Sequence, residues 1–89
     1  MNRLNPGKVA TPGALAALEA SGESLLTYLQ RHIAGDWGDV DAYDAKENKL
    51  SLKHGWRLLS AYTLKSGAKI LVITEADRSS TCVLVPEEY

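Results

Sequence analysis

The sequence predicts an α+β fold: two to three N-terminal helices followed by a three-stranded antiparallel β-meander. Two observations predict it. Before residue 56, helix-start residues recur and each is answered by a glycine stop. After residue 56, Val, Ile and Thr concentrate, and two turn-forming pairs divide the run.

The elements follow in order. Residues 1–10 are polar, carry Pro6 and Gly7, and read as a flexible N-terminal arm; residues 11–89 then form a single domain. Thr11-Pro12 is an N-cap followed by a first-turn proline, Leu15 and Leu18 fall one turn apart, and Gly22 closes the helix. Ser24 caps a second helix, with Leu25, Leu26, Leu29 and Ile33 as its apolar stripe and Tyr28 and His32 at the stripe's edge. Gly35 ends it. Asp41 caps a third helix, with Asp44 placed as in a capping box. That helix runs to about Lys53, and Tyr43, Leu50 and Leu52 are its expected contacts.

Strands are expected over 56–64, 69–75 and 80–85, with Pro86 as the stop because it has no N–H for a ladder. Taking Ser66-Gly67 and Asp77-Arg78 as two-residue loops sets Leu59 opposite Thr74, Ala61 opposite Val72, Thr74 opposite Thr81 and Val72 opposite Val83. Alternation then gives two faces, both substantially apolar. Three short helices cover one; the other needs wrapping or a partner. The ending Pro86-Glu87-Glu88-Tyr89 is expected to fold back, Tyr89 covering part of the sheet.

Composition narrows the function classes. The chain is 45% hydrophobic and 24% charged, as folded domains are, and at 89 residues it has room for one modest core. Dimerisation would add to its stability. A net charge of -1 argues against nucleic-acid binding, which depends on Lys and Arg neutralising phosphates. No stretch has the length of a membrane span, and Met1–Gly13 lacks the apolar centre of a signal peptide, so a cytoplasmic location is expected. The lone Cys82 sits in an apolar run and reads as a buried thiol. Neither G-x-x-x-x-G-K nor G-x-G-x-x-G occurs, and no cofactor is expected.

Two clusters bear on chemistry. The first is His32 with Asp36, Asp39, Asp41 and Asp44. A calcium loop starting at Asp36 would need acidic or amide residues where Gly38 and Val40 stand, and zinc would need more His or Cys, so no metal is expected. The aspartates read as caps and turn formers, with Trp37 pinning the loop. Asp36, Trp37 and Asp39 are the candidate binding residues. The second cluster sets His32 against Arg57, Thr74, Arg78 and Thr81. Arginine charge, hydroxyl donors and a histidine base are what a phosphate-handling site requires. Ser60, Ser79 or Ser80 with His32 or His54 is a weaker nucleophile candidate, since no nucleophile elbow is present.

Several stretches together resemble a known family: Arg31-His32 with Gly35-Asp36-Trp37-Gly38-Asp39, Arg57-Leu58-Leu59-Ser60-Ala61-Tyr62, Ile73-Thr74-Glu75-Ala76-Asp77-Arg78-Ser79, and Leu84-Val85-Pro86-Glu87-Glu88-Tyr89. It is a family of small uncharacterised bacterial proteins labelled plasmid-related, or type I restriction enzyme modification subunit. The resemblance covers about residues 11–89 and implies no activity for any residue. The chain has no S-adenosylmethionine or nucleotide motif and is too small for a methyltransferase domain. Helices followed by a hairpin sheet are also similar to the barnase, colicin and RelE-like ribonucleases.

The leading expectation is a non-enzymatic accessory protein of bacteria or their mobile elements, acting through protein contacts or self-association. The alternative is a small metal-independent ribonuclease using His32 and the sheet arginines. A third reading is an acidic DNA mimic or antirestriction protein built on Asp36, Asp39, Asp41, Asp44 and Glu47, which Lys46, Lys49 and Lys53 dilute.

Overall fold

The computed structural model describes residues 8–89; the expected arm at residues 1–7 lies outside them. The fold is α+β. Helices α1 (Pro12–Ser21), α2 (Leu25–Ile33) and α3 (Ala42–His54) precede the antiparallel strands β2 (Leu58–Thr63), β3 (Lys69–Thr74) and β4 (Thr81–Leu84). Lys8–Ala10, expected to belong to the arm, instead form strand β1, which runs parallel to β4. The sheet order is β1-β4-β3-β2.

The helices start where their capping residues stand. The side chains of Thr11, Ser24 and Asp41 accept from the N–H groups of Ala14, Leu26 and Asp44. Each supplies one acceptor for the unpaired donors of a first turn.

The β3–β4 register is the expected one, Thr74 opposite Thr81 and Val72 opposite Val83. The β2–β3 register is shifted by one: Leu58, not Leu59, faces Thr74, and Ser60, not Ala61, faces Val72. The cause is the loop. Leu64 N–H donates to Ala68 and Gly67 N–H returns to Leu64, so Lys65-Ser66-Gly67 is a three-residue loop. Gly67 holds its last position at φ +93°, the left-handed position such a loop reserves for glycine. A one-residue shift moves every side chain of a strand to the opposite face. Leu58, Ser60 and Tyr62 therefore join Ile70, Val72, Thr74, Thr81 and Val83 on one face.

That face is the core. Ala14 and Leu18 of α1 and Tyr28 and Leu29 of α2 pack on Tyr62, Leu64, Ile70, Val72 and Val83. The buried stripe of α2 differs from the expected one. Tyr28, Leu29 and His32 are buried, whereas Leu26 and Ile33 stay 56% and 73% exposed. Polar tips do not keep Tyr28 and His32 at the edge, because each tip finds partners: Tyr28 OH donates to Glu23 at 2.5 Å, and both His32 ring nitrogens are bonded.

Helix α3 also turns an unexpected side inward. Tyr43 and Leu52 are 70% and 60% exposed, and the buried residues are Asn48 and Ser51. Strand β2 is a sheet edge, and Asn48 closes it. Its carboxamide donates to Leu59 C=O at 2.6 Å and accepts from Leu59 N–H at 3.0 Å, as a neighbouring strand would. Two residues on, Ala61 N–H donates to Trp37 C=O and Ala61 C=O accepts from Asp39 N–H.

The second face carries Leu59, Ala61, Leu71, Ile73, Cys82 and Leu84. Ile73 and Leu84 are buried, and the expected core thiol of Cys82 is only half-buried here. The chain end does return. Pro86–Glu88 form a 3-10 turn against β3, and Tyr89 OH accepts from Arg57 Nη2 at 3.1 Å. Glu88 ties this turn to α1, accepting from Thr11 Oγ1 at 2.5 Å and from Val85 N–H at 3.0 Å.

Candidate functional site

His32 lies in the last turn of α2, on the side facing the sheet. Its Nδ1 is 2.5 Å from Ser60 Oγ on β2, and its Nε2 is 2.8 Å from Thr74 Oγ1 on β3. Thr74 Oγ1 in turn meets Thr81 Oγ1 on β4 at 2.9 Å. One imidazole therefore joins a helix to two strands directly and to a third through a hydroxyl. It is 4% exposed, and burial pushes its pKa below the ordinary histidine value, so the ring is neutral at pH 7.

Above this chain of groups is a cleft of about 350 Å³. Its walls are Ile33 from the end of α2, Trp37 from the following loop, Leu52 from α3 and Leu58 from β2. Thr74, Thr81 and His32 form its polar side, with Arg78 at one end. A wider, open depression of about 520 Å³ lies between α1 and α2, with Glu19 and Glu23 as its charged groups. Glu23 is committed elsewhere. Its carboxylate accepts from Ser21, from Tyr28 and from Lys65 N–H, and these bonds hold its pKa down to about 2. Tyr28 shows the reciprocal effect: burial first, then the Glu23 bond, raise its hydroxyl to about 12.

The sequence-predicted residues divide. His32, Thr74, Thr81 and Arg78 come together at the cleft. Arg57 does not: it precedes Leu58 by one residue, so it points to the second face, where it bonds Tyr89. Arg78 is present but engaged. Nη1 donates to the carbonyls of Trp56 (2.5 Å), Glu75 (3.2 Å) and Ala76 (3.3 Å), and Nη2 to that of Ser51 (3.1 Å). Arg78 is the one non-glycine residue with positive φ, 64°, among the described residues. That conformation sits in the β3–β4 turn, from which the guanidinium reaches the C-terminal end of α3. Its role is to staple that turn to α3.

The loop residues are equally committed. Asp36 pairs with Arg31 at 2.7 Å and accepts from Gly38 N–H, and the Arg31 guanidinium holds its carboxyl below the usual range. Arg31 itself lies 4.6 Å over the Tyr62 ring, whose hydroxyl donates to Asp36 C=O at 2.6 Å. Asp39 accepts from Thr63 Oγ1 at 2.6 Å. Neither caps α3; Asp41 alone does. Trp37 is half-buried and contributes a cleft wall rather than a sealed pin. Gly38 is required here. At φ +71° it runs so close to β2 that a Cβ would overlap Ala61 O and sit 2.5 Å from the Tyr62 ring.

Sequence reasoning missed Ile33, Leu52 and Leu58 as cleft walls. It offers Ser60, Ser79 or Ser80 with His32 or His54 as a nucleophile pair, and the geometry makes Ser60 a partner of His32 Nδ1. The signal was available: a three-residue loop at 65–67 places Ser60 on the same face as Thr74. Among the described residues no buried side-chain nitrogen or oxygen lacks a hydrogen-bond partner. Among them, no three His, Cys, Asp or Glu side chains converge as a metal site, and no helix is long and apolar enough to cross a membrane. Comparison with protein-family models, with curated proteins and with solved structures finds no match to this chain.

Proposed function

We propose that this protein is a non-enzymatic interaction module, and that the cleft beside His32 is the surface with which it grips a partner protein. The observation that carries this reading is the pair of large aliphatic side chains at the cleft, Ile33 at 73% and Leu52 at 60% exposure. Burying each is worth about 1.5–3 kcal/mol, and the fold leaves that free energy unused. The polar groups nearby support the same reading, since an imidazole bonded at both nitrogens and a guanidinium held by carbonyls are spent on structure.

The ribonuclease reading draws support from the meeting of His32, Thr74 and Thr81. Among the described residues it lacks a free cation, with Arg57 on the other face and Arg78 occupied. The DNA-mimic reading asks for free carboxylates, while Asp36 and Asp39 are paired with Arg31 and Thr63.

Photocrosslinking in cells from a photoreactive residue at position 52, with position 20 on α1 as control, tests the proposal. A discrete crosslinked species from 52 that Ile33→Asp abolishes is the expected result. The same pattern from both positions, or none from 52, would contradict it. Sedimentation of the purified chain at high micromolar concentration shows whether the partner is a second copy.

A further inference from the structure

The groups at the cleft floor constrain what fits there. Among the described residues no carboxylate lines the cleft, and the one permanent cation there, Arg78, has four carbonyl acceptors. The imidazole is neutral and 4% exposed. Neither an anion nor a cation finds a counter-charge. The volume, about 350 Å³, is near the lower end of the roughly 300–1,000 Å³ found for ligand sites, and the walls are apolar. The Thr81 hydroxyl is a polar group of the cleft with capacity to spare. Thr81 is half-buried, and its hydroxyl is bonded to Thr74.

Which capacity it offers depends on His32. If Nδ1 carries the proton, it donates to Ser60, and Nε2 accepts from the Thr74 hydroxyl. Thr74 then accepts from Thr81, which presents only lone pairs to the cleft. If Nε2 carries the proton, every bond in the chain reverses. Thr74 donates to Thr81, and the Thr81 O–H is free to donate into the cleft. A neutral imidazole between hydroxyls accommodates both states without moving a heavy atom.

We infer that the cleft receives a neutral aromatic ring ending in a hydroxyl, the side chain of a tyrosine in the partner, and that Thr81 reads the hydroxyl with the His32 tautomer setting its polarity. A phenol is both donor and acceptor and so matches either state of Thr81. Its ring fills an apolar space with few rotamers lost, the property that makes tyrosine a frequent interface anchor. The inference rests on the cleft being the contact surface.

Methyl NMR titration of the full chain with p-cresol, toluene, 4-methylbenzoate and benzylamine tests it. We expect p-cresol to shift the Ile33 and Leu52 methyls at millimolar concentration, about five-fold more tightly than toluene, the gain of roughly one hydrogen bond. The charged analogues are expected to bind more weakly than either. Thr81→Val should erase the gap between p-cresol and toluene, and Thr81→Ser should keep it. Equal affinity for p-cresol and toluene, or a gap that survives Thr81→Val, overturns this inference while leaving the contact surface standing. If no neutral ring binds, the contact surface falls with it.

Discussion

His32 Nε2 stands 2.8 Å from Thr74 Oγ1, and that one contact couples the last turn of α2 to β3 and, through Thr81, to β4. Replacing the ring removes buried volume, takes the His32 partner from the Ser60 hydroxyl, and leaves the Thr74 hydroxyl with Thr81 alone. We expect His32→Ala to cost about 3 kcal/mol. Equilibrium urea unfolding measures the loss, and a change below about 0.5 kcal/mol would show that the ring bears no structural load.

The same burial gives stability a defined pH dependence. The folded pKa of His32 lies below its ordinary value of about 6.5, so the unfolded chain takes up the proton first as pH falls. Stability from this group is complete above about pH 6.5 and declines below it, through the folded pKa. Glu23 acts in a lower window, its stabilisation complete above about 4.5 and lost as pH falls toward about 2. Unfolding curves between pH 8 and 3 should show both declines, and His32→Gln should remove only the upper one.

Gly38 offers a sharper contrast. Gly38→Ala would drive a methyl into Ala61 O and the Tyr62 ring at positive φ, and we expect a loss of about 3 kcal/mol. Gly35→Ala shares the positive φ, 87°, but meets no atom within 4 Å, so about 1 kcal/mol is expected. Thermal unfolding of the two variants separates conformational strain from overlap.

Much of this architecture is local and was legible for that reason. Caps such as Thr11 and Asp41 act within their own first turns, so sequence alone places them. The β3–β4 register was legible because its loop grows by one residue on each side of Asp77-Arg78 and leaves the pairing unchanged. The β2–β3 register was not, since one extra loop residue at Lys65 transfers Ser60 and Tyr62 to the core face. Strand β1 depends on a partner more than seventy residues away, which no local pattern announces. At the site, His32, Thr74 and Thr81 were legible as a group. Ile33 and Leu52 were not, because apolar residues at helical spacing read as core.

Asn48 is the case where polarity concealed burial. Asn48→Ala would leave the Leu59 N–H and C=O unpaired at a sheet edge, and we expect a loss of about 2 kcal/mol. An uncovered edge also invites pairing with other chains. Light scattering on storage should rise for Asn48→Ala and stay flat for Lys49→Ala.

The central claim is that His32 is a neutral structural clamp rather than a free base, so that the cleft works by contact. Long-range ¹H–¹⁵N NMR of the imidazole at pH 7 tests it most directly. We expect one protonated and one unprotonated nitrogen, slow exchange of the ring proton with water, and a titration midpoint below 6.5. A ring that titrates at or above that ordinary value, with its proton in fast exchange with solvent, would contradict the claim.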